Sequence, residues 1–331
     1  MESKLKKGLL FGGLVGFAWG LDTVLMGLVG QTEILRNSPS GVLVSAFLHD
    51  SFCFFWLVLA MFFKKELIGA FQLLKTKKGK AICLAALVGA PIGMSGYVMG
   101  IKYAAPAYAS SISVIYPGVG AILSYFILKE KISKRAMFGI GISLLGSVAL
   151  GYSKVNIAEY PHFYKGIAFT CLAVLGWALE GVIVGYAMKK IKNEDNIKST
   201  PQQFLTLRYL TSFVCYALIV IPFVSGYGTV GKLIKSYEIF YFAGIAILGA
   251  ITYLSWYKAV DHIGAAMGTA LNSTAAFWAI IFSFLILGTP ITTYLMVCGL
   301  VIILGVFIFA VDIGEIIDKI KMKKIKKASE K

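Results

Sequence analysis

Long, uninterrupted apolar blocks are the feature that most constrains this fold. The 331-residue chain carries blocks of about 20 mainly apolar residues, separated by short stretches rich in lysine. A helix of about 20 residues rises about 30 Å, which matches the hydrocarbon core of a bilayer. Hydrophobic residues make up 58% of the chain, compared with about 45–50% in soluble domains. The sequence therefore predicts an all-α integral membrane protein.

Ten transmembrane helices are predicted from these blocks and from the breakers between them. Pro39, Pro106 and Pro290 stand at three of the junctions. We expect the N-terminal block to be retained as the first helix, because no clear small-residue cleavage site follows it. The predicted spans cover residues 8–30, 40–63, 80–101, 106–128, 133–152, 164–188, 201–224, 237–256, 263–287 and 291–312.

Basic residues lie mostly on one side of these spans. The net charge of +16 raises the possibility of nucleic-acid binding, but the lysines fall between apolar blocks and in the C-terminal tail. Their placement follows the positive-inside rule, so we expect both termini in the cytoplasm, a cytoplasmic-membrane location and no nucleic-acid partner. The basic tail at 313–331 has two open interpretations, a helix against anionic membrane lipids and a disordered solvated segment.

The two halves of the sequence resemble each other. Span one matches span six at an offset of 158 residues, which aligns Trp19 with Trp177 and Asp22 with Glu180. Spans two and seven share a Ser-Phe pair, and spans three and eight share a tyrosine. We divide the chain into five-span halves at 1–153 and 154–312. Because five is odd, the second half must be inverted, an arrangement typical of secondary transporters with a midplane site.

The whole pattern resembles a known family. Two inverted five-span halves, Trp19 followed by glycine, and the segment from Tyr116-Pro117 to Ser133 are similar to the EamA branch of the drug/metabolite transporter superfamily. This resemblance covers roughly residues 9–312 and implies a ten-helix transporter of small metabolites. Thr289 stands where a counterpart of Glu130 is expected. We interpret Glu130 as a helix-end residue among cytoplasmic lysines.

Four ionisable residues are predicted deep inside spans. They are Asp22, Asp50, Glu180 and Arg208. A charge at the bilayer centre costs about 2.5–3.5 kcal/mol or more, so such residues are candidates for function. Asp22 and Glu180 lie near mid-depth as repeat mates. Helical spacing places Trp19 and Trp177 on their respective faces.

Two carboxyls beside two indoles are suited to an organic cation, because indole faces attract ammonium groups. A buried carboxyl could instead bind a proton in alternation with substrate, and superfamily relatives with a first-helix acid imply the same coupling. A third interpretation is an internal salt bridge, for example to Arg208. Asp50 is expected to join the cavity or make a polar contact. Its neighbour His49 is expected to point to a different face.

Other side chains extend the candidate substrate site. Arg208 is expected either to extend toward the cytoplasm or to bind a substrate carboxylate. Tyr116 and Trp278 lie nearer mid-span than most aromatic residues and are predicted to line the cavity.

The functional prediction is a proton-coupled or uncoupled transporter of a small organic cation or amine-bearing metabolite. The alternative is an exporter of amino acids or other zwitterions. We expect no cofactor, no metal and no enzymatic activity, because ATP-binding and hydrolase motifs are missing from the sequence. The oligomeric state is left open between a monomer and a homodimer.

Overall fold

The computed structural model describes residues 2–104, 109, 112–151, 160–191 and 199–310, and these residues form helices without strands. The junction at 152–159 and the basic tail at 313–331 lie outside the described residues. We number the ten helices that correspond to the predicted spans. They are α1 (Glu2–Gly30), α2 (Gly41–Phe63), α3 (Lys77–Ala104), α4 (Tyr116–Leu128), α5 (Lys134–Gly151), α6 (Phe163–Lys189), α7 (Pro201–Phe223), α8 (Glu238–Ile263), α9 (Ala265–Leu287) and α10 (Thr293–Ala310).

The predicted all-α membrane fold is confirmed. Among the described residues, seven of these helices are long and apolar enough to cross a membrane. Helices α4 and α10 are shorter apolar helices, and the predicted start of α4 at residue 106 is not described. Three short helices, Glu33–Arg36, Leu67–Leu73 and Tyr227–Ile234, lie in the connections.

Helix packing follows the internal repeat. Helix α1 packs against α8 and α9, while its repeat mate α6 packs against α3 and α4. Exchanging the two halves therefore converts one set of contacts into the other. Helix α2 packs on α7, and α5 packs on α10, so these pairs map onto themselves. This exchange is the packing expected of two related five-helix halves.

Glycines allow the close helix contacts. A Cβ atom on Gly16 of α1 would lie 1.7 Å from Thr274 Oγ1 of α9. A Cβ atom on Gly100 of α3 would lie 2.1 Å from Thr170 Oγ1 of α6. Neither helix pair could approach so closely with a larger residue, which agrees with small-residue packing in membranes.

Helix α3 contains a π-helical segment at Val88–Met94, with Pro91 inside it. Proline lacks a backbone N–H and cannot complete the regular helical hydrogen-bond pattern. Segments of this kind are frequent at functional sites. This segment faces α6, and it brings Gly89 and Gly93 against that helix.

Candidate functional site

One buried arginine joins four helices at the centre of the bundle. Arg208 of α7 is only 3% exposed. Its Nε donates to Glu180 Oε1 of α6 at 3.1 Å, and its Nη1 donates to Asp50 Oδ2 of α2 at 3.0 Å. Its Nη2 donates to the hydroxyl of Tyr253 of α8 at 2.8 Å. The guanidinium is thus fixed on three sides by groups from three other helices.

Aromatic and hydroxyl groups complete the surroundings of this arginine. The guanidinium carbon lies 4.1 Å from the ring centroid of Tyr253 and 4.6 Å from that of Tyr209. These distances are within the range of cation–π attraction. Ser212 donates to Asp50 Oδ2 at 2.5 Å. All three guanidinium nitrogens of Arg208 donate hydrogen bonds inside the bundle. The expectation that this side chain extends toward the cytoplasm is therefore wrong.

The first-half acid has a different partner. The Oδ1 atom of Asp22, on α1, lies 3.1 Å from Nε2 of His49. The other ring nitrogen, Nδ1, lies 3.4 Å from Asp50 Oδ1. His49 lies against α1 and α8 while Asp50 faces α7, so the two side chains do point to different faces, as expected. They are nevertheless in contact. Successive helical side chains diverge by about 100°, but both of these are long enough to meet beside α1 and α7.

A continuous polar chain results from these contacts. It runs from Asp22 through His49, Asp50 and Arg208 to Glu180, so it joins the two repeat-mate acids. It contains three carboxyls, one guanidinium and one imidazole. We call these five residues the central network. With all three carboxyls ionised, their charge exceeds that of the arginine by two, or by one if His49 is also charged.

A row of aromatic rings connects the two predicted tryptophans. The ring centroid of Tyr116 lies 6.3 Å from that of Trp19 and 5.6 Å from that of Trp177. Tyr97 continues the row at 5.5 Å from Trp177. Asn272 of α9 donates from its Nδ2 to the Tyr116 hydroxyl at 3.0 Å. We call Trp19, Tyr116, Trp177 and Tyr97 the aromatic row.

Glycines make room for the site. A Cβ atom on Gly89 would lie 1.9 Å from Glu180 Oε2, and one on Gly93 would lie 3.0 Å from the Trp177 ring. Both glycines belong to the π-helical segment of α3. On α8, a Cβ atom on Gly249 would lie 2.4 Å from His49 Cε1. The positions of Glu180, Trp177 and His49 therefore depend on residues without side chains.

The structure places one predicted site residue elsewhere. Trp278 of α9 contacts Phe17, Phe277 and Phe282, which form a separate aromatic cluster. Phe17 is among the exposed hydrophobic residues, so this cluster reaches the outer surface of the bundle. Seven of the eight predicted residues thus belong to the central network or the aromatic row, and Trp278 does not.

Glu130 contacts the start of α9, which its interpretation as a helix-end residue did not predict. Its two carboxylate oxygens accept the backbone N–H groups of Ala265 and Ala266, each at 3.0 Å. Lys189 at the end of α6 lies 3.9 Å from the same carboxylate. Glu130 therefore connects the segment after α4 to the start of α9 and to α6, across the two halves.

Several contacting residues were missed by sequence reasoning. Ser212 was noted only as the repeat mate of Ser51. Tyr253, the mate of Tyr97, was considered as a cavity-lining or interfacial aromatic residue, without its contact to Arg208. Asn272 gave no sequence signal, because a neutral amide inside a helix can serve many purposes. His49 was interpreted mainly as a satisfied interior residue, and no partner from α1 was expected for it.

Two surface cavities lie away from the central network. A cavity of about 510 Å³ is lined mainly by α1 and α8 residues, among them Leu28 and Tyr241, and by Thr32 just after α1. A second cavity of about 320 Å³ is lined by Glu33, Ser38 and Lys232, among others. In the described part of the chain, no group of three or more histidine, cysteine or acidic side chains is arranged to hold a metal ion.

Comparisons with known proteins agree with this architecture. The sequence pattern of the EamA-like transporter family matches residues 6–152 and again residues 164–311. Protein LicB of Haemophilus influenzae is 29% identical over 310 residues, which cover 93% of this chain and 99% of LicB. The uncharacterized transporter YyaM of Bacillus subtilis is 24% identical over 224 residues, covering 65% of this chain and 69% of YyaM.

A plant protein and a solved structure extend the likeness. A WAT1-related protein of Arabidopsis thaliana is 25% identical over 284 residues, covering 77% of this chain and 70% of the relative. One crystal structure shares 12% sequence identity and a TM-score of 0.69, over 91% of this chain and 96% of the other. At that identity, the solved structure shows a shared fold alone.

Proposed function

This chain belongs to the EamA-like transporter family, and from that premise we propose that it moves a small organic cation or amine-bearing metabolite by alternating access. Family membership and the apolar helices make it a multi-pass membrane transporter of the drug/metabolite transporter superfamily. Charge and aromatic chemistry at the centre support the finer assignment of substrate class.

The excess of carboxyls in the central network is the observation that carries this proposal. Asp22, Asp50 and Glu180 face one arginine and one histidine. An uncompensated negative charge in a low-dielectric interior is costly, and a bound cation would offset it. The aromatic row supplies the ring faces that attract ammonium groups. We therefore assign the substrate to the region between these two groups of residues.

A zwitterionic substrate is less well supported. That alternative needs Arg208 to hold a substrate carboxylate. Its three nitrogens instead bond to Glu180, Asp50 and Tyr253. A substrate carboxylate would have to displace one of these partners and would add a further negative charge to the site.

The placement in the membrane is also a proposal. Lysine distribution supports a cytoplasmic-membrane location with both termini in the cytoplasm. In that orientation the contact from Glu130 to α9 lies on the cytoplasmic side. The halves are assigned to 1–153 and 154–312, so that the substrate site lies where they meet.

Ligand-induced stabilisation of the purified protein tests the substrate class. A ligand that binds only the folded state raises stability by about 2.7 kcal/mol at one hundred times its Kd. We expect quaternary amines or polyamines to raise the unfolding temperature, and amino acids and organic anions to leave it unchanged. A shift with amino acids alone would overturn the proposal in favour of the zwitterion.

Matched variants locate the site. Asp22→Asn and Trp177→Leu should lose the shift produced by amines. Asp261→Asn should keep it, because the Asp261 side chain is 50% exposed at the end of α8. Trp278→Leu should also keep it, since its ring lies in the separate cluster. Transport by reconstituted Asp22→Asn and Glu180→Gln proteins should be lost, and uptake that survives both changes would contradict the assigned site.

A further inference from the structure

We propose that His49 is a proton-binding residue, and that the organic cation and the His49 proton exclude each other at Asp22. This inference rests on the proposed function. It adds a titratable group to the site and gives the sign of the coupling: binding of the cation releases a proton from the protein.

Both ring nitrogens of His49 face a carboxyl oxygen. Nε2 lies 3.1 Å from an oxygen of Asp22, and Nδ1 lies 3.4 Å from an oxygen of Asp50. A neutral imidazole has one N–H group and one lone pair, so one of its nitrogens would direct a lone pair at a carboxylate. An imidazolium has two N–H donors and satisfies both contacts. The geometry therefore fits an extra proton held between the two carboxyls.

Among the described residues, the carboxyls of Asp22 and Asp50 lie beside the ring, and a carboxylate is ordinarily a weaker base than an imidazole, so His49 is the group that holds this proton. The charged and titratable groups around it are Asp22 from α1, Asp50 and Cys53 from its own helix, and Arg208, Tyr209 and Tyr253 beyond them. Arg208 stays protonated in proteins and cannot exchange. Cys53 Sγ lies 3.2 Å from the backbone oxygen of Ala246, to which it donates.

The space for the ring is built into α8. A Cβ atom on Gly249 would lie 2.4 Å from His49 Cε1 and 2.5 Å from Nε2. The ring edge that faces Asp22 therefore packs directly on the α8 backbone. This contact fixes the imidazole between α1 and α8, so its proton remains next to the carboxyl that we assign to the cation.

Competition between proton and substrate follows from charge. A cation that binds at Asp22 removes one partner of the imidazolium and places a like charge beside it. The proton then leaves to solvent, and one positive charge replaces another, so the charge of the network is unchanged. By linkage, affinity for the cation should increase with pH, by at most tenfold per pH unit for one released proton.

Titration calorimetry of the full-length protein in detergent tests this inference. Tetramethylammonium is the probe, because it has no titratable proton of its own. Measured near neutral pH in two buffers of different ionisation enthalpy, wild-type protein should release up to one proton per bound cation. His49→Gln should release none, and its Kd should not change with pH. His262→Gln should behave like the wild type, since His262 bonds to the Lys258 carbonyl at the end of α8.

The outcomes separate this inference from the proposed function. If tetramethylammonium and other amines fail to bind at any pH, the proposed substrate class is wrong. If they bind without proton release, or if His49→Gln still releases a proton, only the role of His49 is overturned. Nitrogen NMR of the labelled wild type gives a second measurement if His49→Gln does not fold. The chain has 3 histidines, and one should change from imidazolium to neutral imidazole on cation binding.

Discussion

The two repeat-mate acids occupy equivalent positions but have unlike partners. Glu180 of the second half is 3% exposed and bonds to Arg208, whose charge is permanent. Asp22 of the first half is 9% exposed and bonds to His49, whose charge depends on protonation. Equivalent positions of the two halves therefore hold an ion pair of permanent charge at Glu180 and one whose charge can change at Asp22.

This difference suggests a division of roles within one site. The arginine pair ties four helices together and keeps its charge through any change of pH near neutrality. The histidine pair can lose its charge without leaving a permanent cation unpaired. Substitutions of these residues test the difference between the two pairs. The largest losses of stability should follow changes on the arginine side.

Removing the arginine should be the most destructive change. Arg208→Gln leaves Glu180 and Asp50 buried without their cation, and breaking one side of a buried pair costs about 3–5 kcal/mol. We expect a large loss of thermal stability in detergent, whereas the exposed Lys64→Gln control should change it little. Combining Arg208→Gln with Glu180→Gln and Asp50→Asn should recover part of the loss. Equal stability of single and triple variants would show that the pairing matters little.

Neutralising each acid in turn should cost more stability in the second half than in the first. Glu180→Gln should cost about 2 kcal/mol or more, because Arg208 keeps its charge and loses a charge-assisted hydrogen bond. Asp22→Asn should cost about 1 kcal/mol, since His49 can become neutral and still bond to the amide. Chemical denaturation of both variants measures the difference. Similar costs for the two would argue against unlike roles.

The glycines behind the two pairs allow a finer comparison. Gly89→Ala would press on Glu180 and Gly249→Ala on His49, and overpacking of this kind costs about 1–3 kcal/mol. Gly27→Ala and Gly244→Ala are matched controls on α1 and α8, because nothing lies within 4 Å of a Cβ atom at either position. Amine binding should weaken in the first two variants and stay unchanged in the controls.

A pH series sharpens this result. If His49 exchanges its proton, Gly249→Ala should also reduce the pH dependence of amine affinity, because the displaced ring no longer bridges the two carboxyls. Gly89→Ala should retain that dependence, since it disturbs only the arginine side. An identical pH response in both variants would remove the distinction between the two acids.

Much of this arrangement could be predicted from the sequence. The lengths of the apolar blocks predicted the helices. The alignment of Trp19 with Trp177 and of Asp22 with Glu180 identified both acids and both indoles before any contact was known. These features depend on spacing along one helix, which a sequence displays directly.

Contacts between helices were less accessible. The contact of His49 was not foreseen because its partner Asp22 comes from another helix, and adjacency to Asp50 does not reveal it. The contacts of Arg208 with Glu180, Asp50 and Tyr253 depend on three other helices meeting around α7 at one point. Trp278 had suitable depth and chemistry, but the rotation of α9 turns it toward Phe17 and Phe282.

The smallest expected effect concerns a second asymmetry, at Glu130. The first half has this glutamate after α4, and its carboxylate caps the two N–H groups at the start of α9. At the equivalent place after α9 stands Thr289, which is exposed. Glu130→Ala removes both capping bonds, a change that costs about 1 kcal/mol at a helix N-terminus. The neighbouring exposed Lys131→Gln variant serves as the control.

Because this cap joins the two halves, its loss should affect transport more than stability. The contact holds the end of α4 and the start of α9 together on one side of the membrane, so weakening it should favour opening there. We expect labelling of a cysteine at Ala265 to become faster in Glu130→Ala, with a fall in unfolding temperature of only a few degrees. Unchanged labelling with a comparable loss of stability would mean that Glu130 stabilises the helix start without restraining movement between the halves.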